Sequence, residues 1–106
     1  MAIAIKSLGD GQLGTLAALY TCPASTTAII KLITLVNTDV VDISVNIYIK
    51  PSGGTSRCII PKDMVMAPGY MSKVKDTITL EAGDAIWGDA TVSNKVDYTI
   101  SGIQRT

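Results

Sequence analysis

The residues with the most chemical potential lie in LEAGDAIWGDA, residues 80–90, where Glu81, Asp84 and Asp89 surround Trp87, the only tryptophan of the chain. Carboxylates beside an aromatic wall are what a glycosidase uses on a sugar, and a close set of carboxylate oxygens is what calcium requires. Spacing argues against both. Residues 85–90 read as a strand on which Asp84 and Asp89 have opposite parity, so the two carboxyl groups point to opposite faces and cannot flank one glycosidic bond. A calcium loop needs oxygen ligands at closer spacing than any segment here offers. Asp84, directly after Gly83, is placed to accept backbone N–H groups of a turn. Asp39, Asp42, Asp63, Asp76 and Asp97 sit at strand ends or on polar faces, as solvated or turn-capping groups.

Other routes to chemistry are equally bare. There is no histidine, so no Ser-His-Asp or Cys-His triad and no imidazole metal centre can form. Cys22 and Cys58 cannot make a structural zinc site alone, and they read as two reduced, buried thiols in preference to a disulfide. PSGGTSR, residues 51–57, has the glycines of a phosphate loop but follows them with Arg57 and no helix, which fits a hairpin loop better. The expectation is a protein that is not an enzyme, with no catalytic residue, no metal and no cofactor.

The elements that must position these residues follow from composition and periodicity. A chain of 106 residues makes one domain, 1–106. At 47% hydrophobic residues it is globular. Nine basic and nine acidic residues cancel, and no basic stripe exists, so a nucleic-acid partner is disfavoured. Zero net charge removes self-repulsion, which suits packing against copies or partners. The start, MAIAIKSLGDG, is interrupted too soon by Lys6 and Gly9 for a signal peptide, and no apolar run approaches the ~20 residues of a membrane span. The expectation is a soluble chain made in a cytoplasm.

Alternation runs through the sequence. In DISVNIYIK, residues 42–50, Ile43, Val45, Ile47 and Ile49 point one way, and Asp42, Ser44, Asn46, Tyr48 and Lys50 the other. Residues 96–101 repeat this with Val96, Tyr98 and Ile100. TAIIKLITLVN, residues 27–37, is apolar on both faces and reads as a central strand covered by a second sheet on one side and a neighbouring subunit on the other. Turn signals at 22–25, 37–39, 51–54, 67–69, 81–84 and 93–94 separate the runs and give roughly eight antiparallel strands. The predicted fold is all-β, a single β-sandwich of jelly-roll type. Ile103 breaks the parity of its strand: either a bulge at Gly102 returns it to the core, or it faces a partner. Trp87 and Tyr48 sit with polar neighbours on their strand faces, either as interface anchors or as half-buried rings at the sandwich edge.

The order of several short motifs resembles a group of small tailed-bacteriophage virion proteins. These are LYTCPASTTAIIKLITLVNT at 19–38, SGGTSRCIIPKDMVMAPGY at 52–70, LEAGDAIWGDA at 80–90 and VDYTISGI at 96–103, so the likeness spans residues 13 to 106. Cys58 and Trp87 depart from the pattern towards apolar. Residues 1–11 lie outside it and are a candidate N-terminal arm, with 2–8 as strand donor or clamp. The resemblance implies a non-enzymatic structural protein of the virion, assembled in the host bacterial cytoplasm. It would be a capsid decoration or cement protein that self-associates as a homotrimer and binds the major capsid protein. A tail, collar or baseplate protein is the alternative. A carbohydrate-binding module, with Tyr48, Tyr70 and Trp87 as a stacking platform, is a further one. Ile3, Ile5, Ile33, Leu35, Tyr48 and Trp87 are the expected interface residues.

Overall fold

Strands rich in isoleucine, valine and threonine, cut short by Gly, Pro and Asn-Asp turns, leave no segment with helical spacing, and the computed structural model, which describes residues 3–106, is correspondingly all-β. In chain order the strands are β1 (Ile3–Gln12), β2 (Ala17–Thr21), β3 (Thr27–Asn37), β4 (Ile43–Lys50), β5 (Arg57–Cys58), β6 (Met64–Met66), β7 (Met71–Val74), β8 (Ile78–Leu80), β9 (Ala85–Ala90) and β10 (Val96–Arg105). They form two antiparallel sheets. One has the order β1-β10-β3-β7, with β8 also on β3; the other has the order β2-β9-β4-β5, with β6 also on β4. Because β5 and β6 share one neighbour and β7 and β8 another, the ten strands fill eight positions.

The alternation of residues 43–49 holds. Ile43, Val45 and Ile47 are fully buried, and they join Ile30, Ile33, Leu35, Leu80, Ile86, Val96 and Ile100 in a single cluster drawn from both sheets. Burying this many branched side chains, each worth about 1.5–3 kcal/mol, is what holds the sheets.

β3 does not keep one parity. Ala28 and Ile30 are buried, Lys31 is exposed, and Ile33 and Leu35 are buried again. The cause is a bulge: Ser101 pairs with Leu32 and Gly102 with Ile30, so Lys31 is the unpaired extra residue. The bulge therefore lies in β3 and not in β10 at Gly102, which corrects one of the two readings of Ile103. Gly102 stays inward, where a Cβ would run into the carbonyl oxygen of Ile29. Ile103 is left on the outer face opposite Ile29.

The segment anticipated as an arm is, over Ile3–Gln12, an edge strand paired with β10 from Ile3↔Arg105 to Gln12↔Asp97. Residues 1–2 of that segment lie outside the described residues. Edge position leaves one row of its backbone N–H and C=O groups without a strand partner in the sheet.

Candidate functional site

Asp84 is consumed by its own turn. Gly83 takes a positive φ of 89° in that turn. The Asp84 side chain then accepts the N–H of Glu81 at 3.0 Å and, across to the next loop, that of Ser52 at 2.9 Å. These donors hold its carboxyl below the usual carboxylate range. Asp89 is elsewhere. It pairs with Asn46 across β9 and β4, and the buried Asn46 amide donates to Asp89 Oδ1 and Asp63 Oδ1, both at 2.9 Å. The Asp63 N–H returns a bond to Asn46 Oδ1 at 2.8 Å. Both oxygens of Asp84 and Oδ1 of Asp89 are thus engaged within the chain, and among the described residues no group of three or more Cys, Asp or Glu is placed to hold a metal.

Trp87 and Tyr48 are direct cross-strand partners, and Tyr48 is in turn opposite Cys58, so the outer face of the second sheet carries the row Trp87–Tyr48–Cys58. Both rings are half-buried and both are covered by cations. Lys50 Nζ stands 5.1 Å from the Trp87 ring centre and Lys62 Nζ 5.4 Å from that of Tyr48. Lys62 also donates to Tyr48 Oη at 2.9 Å, which raises the lysine's pKa above its ordinary value. Tyr70 precedes β7, in the other sheet, so the three rings anticipated as one platform do not lie together. A sugar would also have to displace the lysines from the two rings that do.

Cys22 is buried, with Sγ donating to the Thr26 carbonyl at 3.3 Å, whereas Cys58 is exposed. The expectation of two buried thiols is therefore corrected for Cys58. Its two-residue strand at the sheet margin packs nothing over it.

Of the expected interface residues, Tyr48 and Trp87 are the half-buried rings just described, and the four aliphatic ones separate into two groups. Ile33 and Leu35 are 0% exposed and belong to the chain's own core. The Lys31 bulge turns both inward, so as contacts with a neighbour they are corrected. Ile3 and Ile5 are 68% and 87% exposed. Sequence reasoning left their companion Ile103 open between core and partner and missed Ile29. Ile5 pairs with Ile103, Ile103 with Ile29, and Ile29 with Thr79, giving an outward row across β1, β10, β3 and β8. Ile3, Thr27, Ile29, Thr79, Ile103 and Arg105 line a hollow of about 370 Å³ there, with little polar surface beyond the hydroxyls and Arg105. The parity break at Ile103 was the signal. Val40 and Val41, 85% and 50% exposed, were also missed; two valines between the Asn-Thr-Asp turn signal and Asp42 were their mark.

No protein-family model matches the chain, and no curated protein matches it significantly in sequence. Among solved structures it is similar to one described as "Bacillus endospore appendages form a novel family of disulfide-linked pili", with a TM-score of 0.55 and 18% identity, covering 99% of this chain and 88% of that one. That likeness is one of fold: an all-β chain of two antiparallel sheets.

Proposed function

We propose that this chain is a non-enzymatic structural subunit that self-associates, and specifically a virion component of a tailed bacteriophage, acting as a decoration or cement protein on the major capsid protein. The observation that carries the self-association is the outward isoleucine row of the exposed Ile5 and the half-buried Ile103 and Ile29, on a sheet face that no other strand among the described residues covers. Contiguous apolar surface of this kind is costly to leave in water and marks an interaction face. The ordered motifs of residues 13–106 support the phage assignment. The strand orders β1-β10-β3-β7/β8 and β2-β9-β4-β5/β6 support a jelly roll, with each sheet built from strands distant in sequence.

The test is direct. Purified chain should form a trimer by sedimentation velocity and bind capsids that lack it, with an interface burying at least about 1,200 Å². A chain that remains monomeric at the highest soluble concentration and leaves such capsids bare refutes the reading. A second reading, the same subunit in a tail, collar or baseplate or another extended assembly, is favoured by the structural neighbour described as forming pili. Cryo-electron microscopy of the intact particle separates the two, since copies spread over the head exclude the second. The carbohydrate-binding alternative loses support from the lysine caps on Trp87 and Tyr48.

A further inference from the structure

The two ends of the first sheet differ in shape and charge. At the end where β3 begins lies the apolar hollow of Ile3, Ile29 and Ile103, with Arg105 in its lining. A second hollow adjoins it, lined by Ile5, Lys6, Ser7, Lys31, Ser101, Gly102 and Ile103. Among the described residues, three cations and no carboxylate line the two hollows.

At the far end, about 33 Å along the eleven residues of β3, the chain turns through residues 38–42, Thr-Asp-Val-Val-Asp. Val40 and Val41 project there, flanked by Asp39 and Asp42. Asp97 and Asp10, near the same end of β10 and β1, add to the negative sign, against Lys95 in the adjoining turn and Lys73, which stands in the same cross-strand row as Asp10.

This turn is held rigidly in place. Asn37, 0% exposed, donates its side-chain amide to the carbonyls of Val41 at 3.0 Å and Met66 at 2.9 Å, and its Oδ1 accepts the N–H of Asp39 at 2.9 Å. The Asp39 carboxylate caps the N–H of Val40 at 2.7 Å. A buried side chain that commits two hydrogen bonds to a turn and a third to Met66 of β6 pre-organises that turn, and what the turn then offers to solvent is two valines. A knob fixed in this way loses little entropy on docking.

We infer that the β3–β4 turn of one copy, Val40 and Val41 with Asp39 and Asp42, seats in the Ile3–Ile29–Ile103 hollow of a second copy, with its carboxylates towards Arg105, Lys6 and Lys31. The contact is heterologous: it joins different surfaces of two identical chains, and repetition closes a ring or extends a filament according to the rotation per step. The inference rests on the self-association proposed above and names the surfaces that carry it. Apolar knob meets apolar hollow, acidic rim meets basic rim, and the occupant is the chain itself.

Sedimentation velocity on the full chain and three variants tests this. The knob variant is Val40→Asp with Val41→Asp. The hollow variant is Ile103→Asp, with Ile3→Asp as a second hollow variant because Ile3 stands clear of the core. Far-ultraviolet circular dichroism establishes that each is folded. Each variant alone is expected to associate at least tenfold more weakly than the wild type. An equimolar mixture of a knob variant and a folded hollow variant is expected to form a 1:1 dimer and nothing larger, since one intact knob and one intact hollow remain. Two results overturn the contact while leaving self-association standing: folded variants that assemble like the wild type, or a mixture still monomeric at tenfold the wild-type midpoint concentration. A wild-type chain that stays monomeric removes both this contact and the proposed function.

Discussion

Asp84 shows how a residue that looks catalytic is used up by the backbone. Its two carboxylate oxygens take the N–H groups of Ser52 and Glu81, and these bonds stabilise the ionised form. A folded-state pKa below the unfolded value of about 3.9 means that the contribution is fully present above that pH and is lost as pH falls through the depressed folded value. Urea midpoints measured between pH 5 and pH 2 should therefore fall more steeply for the wild type than for Asp84→Asn, which has no charge to lose; parallel curves would contradict this role. The turn role of Asp84 was legible from Ala-Gly-Asp alone, because a turn cap is a local interaction. The partner of Asp89 was not, since Asn46 comes from a segment 43 residues away that only the folded sheet brings beside it.

At the scale of elements the informative feature is the bulge at Lys31. Alternation alone assigns apolar residues to both faces of residues 27–37, because no single parity holds both the pair Ala28 and Ile30 and the pair Ile33 and Leu35. One extra residue resolves this by putting all four inward and Lys31 outward. It also presses the Ile29 carbonyl against Gly102, where no side chain stands in the way. Gly102→Ala must then move backbone in the middle of a paired ladder, and should cost about 1–3 kcal/mol, read as a lowered urea midpoint at unchanged slope. A midpoint equal to that of the wild type would show that β3 yields easily. The sequence contains the parity break at Ile103, but which of two paired strands bulges depends on their mutual register, which no strand carries by itself.

For the whole molecule, the ladders join remote parts of the chain: β1 pairs with β10, β2 with β9 and β3 with β10. Loop closure must precede most of the stabilising contacts, so refolding by stopped-flow dilution from urea should take milliseconds to seconds at 25 °C; microsecond folding would be inconsistent with this topology. The same topology sets the ends of the first sheet apart along a body 46 Å long, with a hollow at one end and a fixed turn at the other. A molecule built in this way has two dissimilar end surfaces, which is the geometric condition that the proposed head-to-tail contact requires.

The sequence by itself determined the all-β class, the turn positions, the inward set of residues 43–49 and the lack of a histidine-based catalytic site. All of these are local properties of alternation, turn chemistry and residue type. Tertiary structure alone decided that Ile33 and Leu35 belong to the core while Ile3, Ile5, Ile29 and Ile103 gather on one outer face. It also decided that lysines cap Trp87 and Tyr48, and that Asn37 holds two valines out into water. Each of these depends on register between strands far apart in the chain, and a shift of one residue in register exchanges the buried face for the exposed one.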